Sequence, residues 1–176
     1  MKLGIRILTL FFSVVITGCS LAQNKSKWPR VSDDSFNKKL HFLLREKVPF
    51  VSVDSLQTMA LQDLIILDTR AKEEYDVSHI PGAIFVGPTF NAADVEQYEK
   101  EKTVVVYCSV GYRSEKYGAA MQKMGYDKVY NLYGGIFEWV NNGQVVTTED
   151  GNTSNIHTYN SNWGKYVINP NSIKIH

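Results

Sequence analysis

Thr103-Val104-Val105-Val106-Tyr107-Cys108-Ser109-Val110-Gly111-Tyr112-Arg113-Ser114 is the stretch that decides the fold. Its first five residues form an apolar run that stops at Cys108, as a buried strand does. A short loop follows, and Ser114 is predicted to open a helix that runs to Met124 and ends at Gly125. A thiol between a strand end and a helix start is well placed to react. The N–H groups that follow can point at its sulfur, and the positive helix end favours the thiolate. A single Cys after a strand is also an ordinary small core residue. Gly111 and Arg113 shift the balance toward chemistry. Gly lets the backbone bend tightly, and Arg supplies a fixed cation for an anionic guest.

Working outward, Leu64-Ile65-Ile66-Leu67 is a second continuous apolar run, expected of a strand buried on both faces. Asp68-Thr69-Arg70 lies at its carboxyl end, and 71–75 begins a short helix. Phe50-Val51-Ser52-Val53 predicts a short strand, after which Asp54 or Ser55 can cap a helix over 56–61. His79-Ile80-Pro81-Gly82 is a turn into a strand over 83–86, and 91–100 reads as a polar helix or loop. Val129-Tyr130-Asn131-Leu132 is a further strand, and Gly134-Gly135 opens a helix over 136–140. Strands alternating with helices predict an α/β fold with a mostly parallel central sheet flanked by helices on both faces. Ligands in such sheets bind at the carboxyl ends of strands, where Asp68, Arg70 and Cys108 are all expected.

The 176 residues suffice for one domain with a real core and some decoration. Apolar and charged fractions of 44% and 21% are ordinary for a globular chain. A formal charge of +1 and the lack of a long basic run give no sign of a nucleic-acid partner. Only Cys19 and Cys108 carry thiols, which excludes a disulfide framework and a zinc site built on several thiolates.

Residues 1–18 are expected to stand apart from the fold. Lys2 and Arg6 precede an apolar stretch over 7–17 that is too short to span a bilayer but matches a signal peptide core. It ends in Ile16-Thr17-Gly18-Cys19, which resembles a bacterial lipoprotein signal. That resemblance implies cleavage before Cys19, lipidation of its sulfur and an extracytoplasmic, membrane-anchored domain, facing the periplasm if the cell has an outer membrane. Loss of Lys2 and Arg6 would bring 19 basic residues to 17 against 18 acidic ones, near neutrality. Cys108 would then be the sole free thiol, with no partner in the chain for a disulfide. The 19–48 region reads as a polar tether followed by a helix capped at Ser32-Asp33-Asp34, with Phe36, Leu40, Leu43 and Leu44 on one face.

The segments LDTRAKEEYDVSHIPGAIFV, VVVYCSVGYRS and VYNLYGGIFEWVNNG, in this order and spacing, resemble a single-domain rhodanese, a sulfurtransferase, over 49–143. The resemblance implies a rhodanese-like parallel sheet and a cysteine persulfide. Its sulfane sulfur would come from a small donor, thiosulfate or a persulfide, and pass to a thiol or cyanide. Carried over, Cys108 is the nucleophile and Arg113 helps bind an anionic donor. The backbone of Ser109, Val110, Gly111, Tyr112 and Ser114 cradles the outer sulfur. Asp68 and Arg70 hold neighbouring loops, Glu74 pairs with a nearby Arg, and His79 fixes a loop through backbone hydrogen bonds. No metal or organic cofactor is implied. Related phosphatases of the same architecture place five residues between Cys and Arg. Here only four intervene, which suits one sulfur atom better than a tetrahedral phosphate and disfavours phosphatase or arsenate reductase chemistry. A noncatalytic sulfur-binding or interaction module is the alternative.

The 144–176 extension carries too many aromatic and β-branched residues for a disordered end. Val145-Val146-Thr147-Thr148, a turn at Asp150-Gly151-Asn152 and Ile156-His157-Thr158-Tyr159 suggest a hairpin. Packing on the domain is its expected role, with His157, Tyr159 or Trp163 covering the mouth of the site.

Overall fold

The computed structural model describes residues 28–176. The expected signal peptide over 1–18, Cys19 and the first part of the tether lie outside the described residues. Five parallel strands form the central sheet: β1 (Phe50–Val51), β2 (Leu64–Asp68), β3 (Ile84–Phe85), β4 (Thr103–Tyr107) and β5 (Val129–Leu132). They lie in the order β1-β5-β4-β2-β3, so the strand that delivers Cys108 is the central one. Asp68 pairs in register with Tyr107, which brings the ends of β2 and β4 to one level.

Alternation along β4 explains the two layers. Val105 and Tyr107 face one core, with Phe36, Leu40, Ile136 and Phe137. Val104 and Val106 face the other, with Leu67, Tyr117, Met121 and Val129. Helices α1 (Asp34–Leu43) and α5 (Gly135–Asn141) cover the first face, and α4 (Tyr112–Lys123) covers the second. A strand that meets apolar neighbours on both sides needs no polar residue at every second position, hence the unbroken run of valines. Asp33 caps α1 by accepting the Phe36 N–H, and Phe36 stacks on Tyr166 of the extension. The remaining helices of the domain are α2 (Val53–Gln57) and α3 (Lys72–Val77).

Local boundaries differ from the expected ones. β1 ends at Val51 because Ser52, rather than Asp54 or Ser55, caps α2 by accepting the Ser55 N–H at 3.1 Å. α4 begins at Tyr112, two residues before Ser114, because Gly111 reaches φ 102° and turns the chain into the helix at once. Within 91–100 the only helical turn is the single 3₁₀ turn Ala92–Asp94.

The extension adds two small sheets. A hairpin joins β6 (Val146–Thr148) to β7 (Gly151–Thr153), while the Ile156 segment, expected as its second strand, pairs elsewhere. That segment, β8 (Asn155–His157), lies parallel to β9 (Ile173–Ile175), with the short α6 (Ser161–Gly164) between them. The two-residue loop at 149–150 closes too early for the longer pairing, because Gly151 at φ 118° already starts the return strand.

Candidate active site

Cys108 stands at the carboxyl end of β4 with only 1% of its surface exposed. Three features converge on its sulfur. The Gly111 N–H donates to Sγ at 3.1 Å. Val110 and Ser114 add backbone N–H groups from the same loop and the first turn of α4. The guanidinium of Arg113 supplies a positive charge. Burial pushes the thiol pKa up, yet Arg113 and these N–H donors outweigh it, and the thiol is held below its ordinary value. The Ser114 hydroxyl has one proton and gives it to Asn131 Oδ1 at 2.7 Å, which leaves the Ser114 N–H as this residue's donor to sulfur.

Two glycines make the loop possible. Gly111 adopts the left-handed conformation that turns the chain toward α4. Gly135 permits close approach from the next element, since a Cβ there would lie 2.2 Å from the Cys108 carbonyl oxygen. That carbonyl instead accepts the Ile136 N–H at 3.0 Å, and Ser109 O accepts the Phe137 N–H at 3.2 Å. The start of α5 is thereby fastened to the loop.

Arg113 is gripped by Glu74, with Nη1 donating to Oε2 at 2.6 Å and Nη2 to Oε1 at 2.8 Å. The Ser109 hydroxyl donates to Glu74 Oε1 at 2.8 Å and accepts from Arg113 Nη2 at 3.0 Å. Ala71 N–H completes the carboxylate's partners at 3.0 Å. Burial would raise the Glu74 pKa, but the Arg113 hydrogen bonds and charge, with Ala71 and Ser109, bring it down to about 2. Glu74 therefore fixes the angle at which Arg113 faces the Cys108 sulfur.

A second ion pair lies deeper. Arg70 Nη2 donates to Asp68 Oδ2 at 2.7 Å and to the Ser78 carbonyl at 2.6 Å. The Tyr107 hydroxyl donates to Asp68 Oδ2 at 2.6 Å and accepts the Ile80 N–H at 3.1 Å. Asp68 and Arg70 are both fully buried, so they tie β2, β4 and the loop after α3 together and do not reach the solvent. His79 belongs to that loop. Its Nδ1 lies 3.1 Å from the Tyr75 carbonyl, its ring stacks on Tyr75, and its backbone pairs with Thr147 of the extension.

A cavity of about 500 Å3 opens over the sulfur. Ser109, Val110, Tyr112 and Arg113 of the loop line its base. Leu43 of α1, Phe137 of α5 and Tyr159 and Trp163 of the extension build its walls, while His157 is not among its lining residues. Three contributors to the site go unannounced in the sequence. Asn131, fully buried in β5, donates from Nδ2 to the Gly111 carbonyl at 2.8 Å and so braces the cradle from below. A polar Asn inside an apolar strand was the available signal. Leu43 and Phe137 carry no such signal, as both read as ordinary core residues.

Known proteins resemble this chain in sequence and in fold. The tRNA uridine(34) hydroxylase of Yersinia pestis is 36% identical over 117 residues, covering 62% of this chain and 31% of that enzyme. The same enzyme of Yersinia enterocolitica is 35% identical over equal coverage. The chain thus spans 31% of the length of these curated relatives. Among solved structures, a Bacillus halodurans protein superposes with a TM-score of 0.54 at 24% identity, covering 65% of this chain and 88% of its own. The rhodanese-like domain from an Anabaena species superposes with a TM-score of 0.51 at 22% identity, over 57% of this chain and 80% of its own. Both likenesses concern the fold alone. The family model for the rhodanese-like domain matches residues 52–142, more than half of the chain, and the chain belongs to that family.

Proposed function

We propose that this protein is a sulfurtransferase that carries sulfane sulfur as a Cys108 persulfide. The observation that carries the reading is the sulfur itself: an acidified thiol ringed by N–H donors at the start of a helix, under an open cavity. With thiosulfate as donor, the Cys108 thiolate attacks the outer sulfur. A new S–S bond forms, the old one breaks, and sulfite leaves with its electron pair. Negative charge then rests on the terminal sulfur, where the loop N–H groups and the N-terminus of the twelve-residue α4 oppose it. A thiol or cyanide next takes that sulfur, and the Cys108 thiolate is restored. The lowered thiol pKa raises the thiolate fraction, so the attack calls for no separate general base. The packing of His79 against Tyr75 fits a loop-fixing role.

The four-residue interval between Cys108 and Arg113 supports sulfur over phosphate as the guest. Hydroxylation of tRNA is the named activity of relatives of which this chain spans 31%, and a net charge of +1 offers an RNA backbone little electrostatic hold. We also place the domain outside the cytoplasm, anchored by lipid on Cys19; Cys19→Ser should then release the protein from membranes into the soluble fraction.

Mass spectrometry after thiosulfate treatment is the direct test. One added sulfur on Cys108, absent in Cys108→Ser, with thiocyanate released on adding cyanide, is the expected result. Phosphate release from an aryl phosphate without thiocyanate would reverse the assignment. No adduct from any donor would make a noncatalytic module the better reading.

A further inference from the structure

The cavity over Cys108 is far larger than one sulfur atom requires, and its composition is lopsided. At about 500 Å3 it falls in the range of pockets that enclose small organic molecules. Leu43, Val110, Phe137, Tyr159 and Trp163 give it an apolar surround. Arg113 is its single cation among the described residues, and that charge is matched by the bidentate Glu74. A small dianion such as thiosulfate would find one compensated charge and a wide apolar space.

Three of the walls come from outside the family match over 52–142: Leu43 from α1, and Tyr159 and Trp163 from the extension. The extension holds its pair in place by specific means. Tyr159 sits at φ 64°, a left-handed conformation that a tyrosine rarely adopts. Its N–H donates to His157 Nδ1, and the Thr158 N–H and hydroxyl both donate to the Ile175 carbonyl in the β8–β9 pair. Trp163 follows in α6, which Asn160 caps by accepting the Trp163 N–H at 3.1 Å. Tyr159 as a residue remains 65% exposed although it borders the cavity, which leaves room for a guest beside it.

Resting on the sulfurtransferase reading, we propose that the sulfur donor is a low-molecular-mass organic persulfide with an apolar body, and that Tyr159 and Trp163 select it. The Cys108 thiolate attacks the terminal sulfur of R–S–SH. The Cys108–sulfur bond forms, the S–S bond of the donor breaks, and R–S⁻ leaves with the electron pair while the proton stays on the transferred sulfur. R lies against Tyr159, Trp163, Leu43 and Phe137, and burial of its apolar surface supplies the binding energy.

The test compares three donors on the full chain: benzyl persulfide released from a caged precursor, glutathione persulfide with the same sulfur chemistry on a polar body, and thiosulfate. Cyanide is the common acceptor. The wild type is expected to show a kcat/KM for benzyl persulfide about tenfold above either of the others. Tyr159→Ala and Trp163→Ala are expected to lower the benzyl persulfide value about tenfold more than the thiosulfate value. Tyr159 is exposed enough for its truncation to leave the fold intact, so the result does not depend on Trp163→Ala folding. Equal or greater use of thiosulfate, or parallel losses for all donors in both variants, would overturn the donor assignment and leave the sulfurtransferase reading standing. Failure of every donor to place sulfur on Cys108 would overturn both.

Discussion

Two arginine–carboxylate pairs lie at the carboxyl ends of the central strands, and their settings could hardly differ more. Asp68–Arg70 has both side chains at 0% exposure, while in Glu74–Arg113 the Arg113 side chain is 30% exposed and that of Glu74 4%. The first pair spends its hydrogen bonds on backbone and on Tyr107, joining strands to a loop. The second uses them on Ser109 and on aiming a cation at the Cys108 sulfur. The same chemistry is scaffold where it is sealed and an electrostatic tool where it meets the cavity. A buried pair is costly to break on one side only, because the surviving charge is stranded, whereas a pair at an opening can be weakened with water taking part of the load.

The sharpest way to break the contrast is Arg70→Met. With the Asp68 carboxylate left without its cation in the core, a loss of about 3–5 kcal/mol in urea unfolding is expected. A change below about 1 kcal/mol would show that the interior tolerates the lone carboxylate and that the two pairs are not distinct in kind.

Acid titration tests the second pair. Glu74 has its pKa lowered from 4.5 to about 2 in the folded state, so the unfolded chain binds more protons between those values. Its contribution to stability is complete above about pH 4.5 and drains away as pH falls toward 2. The full amount is on the order of 3 kcal/mol. Glu74→Gln should be less stable at neutral pH and should flatten the acid limb of a stability–pH profile; an unchanged limb would remove Glu74 from the account.

Arg113→Gln addresses the thiol. Without the cation the Cys108 pKa should rise, and the iodoacetamide alkylation rate at neutral pH should fall about tenfold, with its pH midpoint moved upward. An unmoved midpoint would leave the loop N–H groups as the dominant influence. The smallest effect is expected from Tyr107→Phe, which removes one hydrogen bond to Asp68 and one acceptor for Ile80 N–H. A loss of about 1–2 kcal/mol by thermal unfolding, with persulfide formation on Cys108 unaffected, would separate scaffold from chemistry.

How much of this could be read from the residues follows from the range of the interactions. The buried strands, the thiol at a strand end and the loop to Arg113 are local patterns of residue type, and they are legible. The grip of Glu74 on Arg113 spans 39 positions, and the sequence offered an acidic residue with an unspecified arginine. Asn131 braces a loop 20 positions away, a role set entirely by tertiary neighbours. The cavity walls come from three separate elements, so no single segment announces them. The extension misled because a hairpin is the nearest pairing for a strand. Ile156 instead lies opposite Lys174 in a parallel pair, reached only after α6 intervenes.

The β8–β9 pair has a consequence for how this protein can diversify. In the proposed function, sulfur handling resides in the loop after β4, whereas the aromatic wall is suspended from a tail that the family match does not include. Chemistry and choice of guest are therefore written on different pages of one chain. Under the proposed donor selection, revising the tail would retarget the protein to another donor body while the Cys108 loop is left alone.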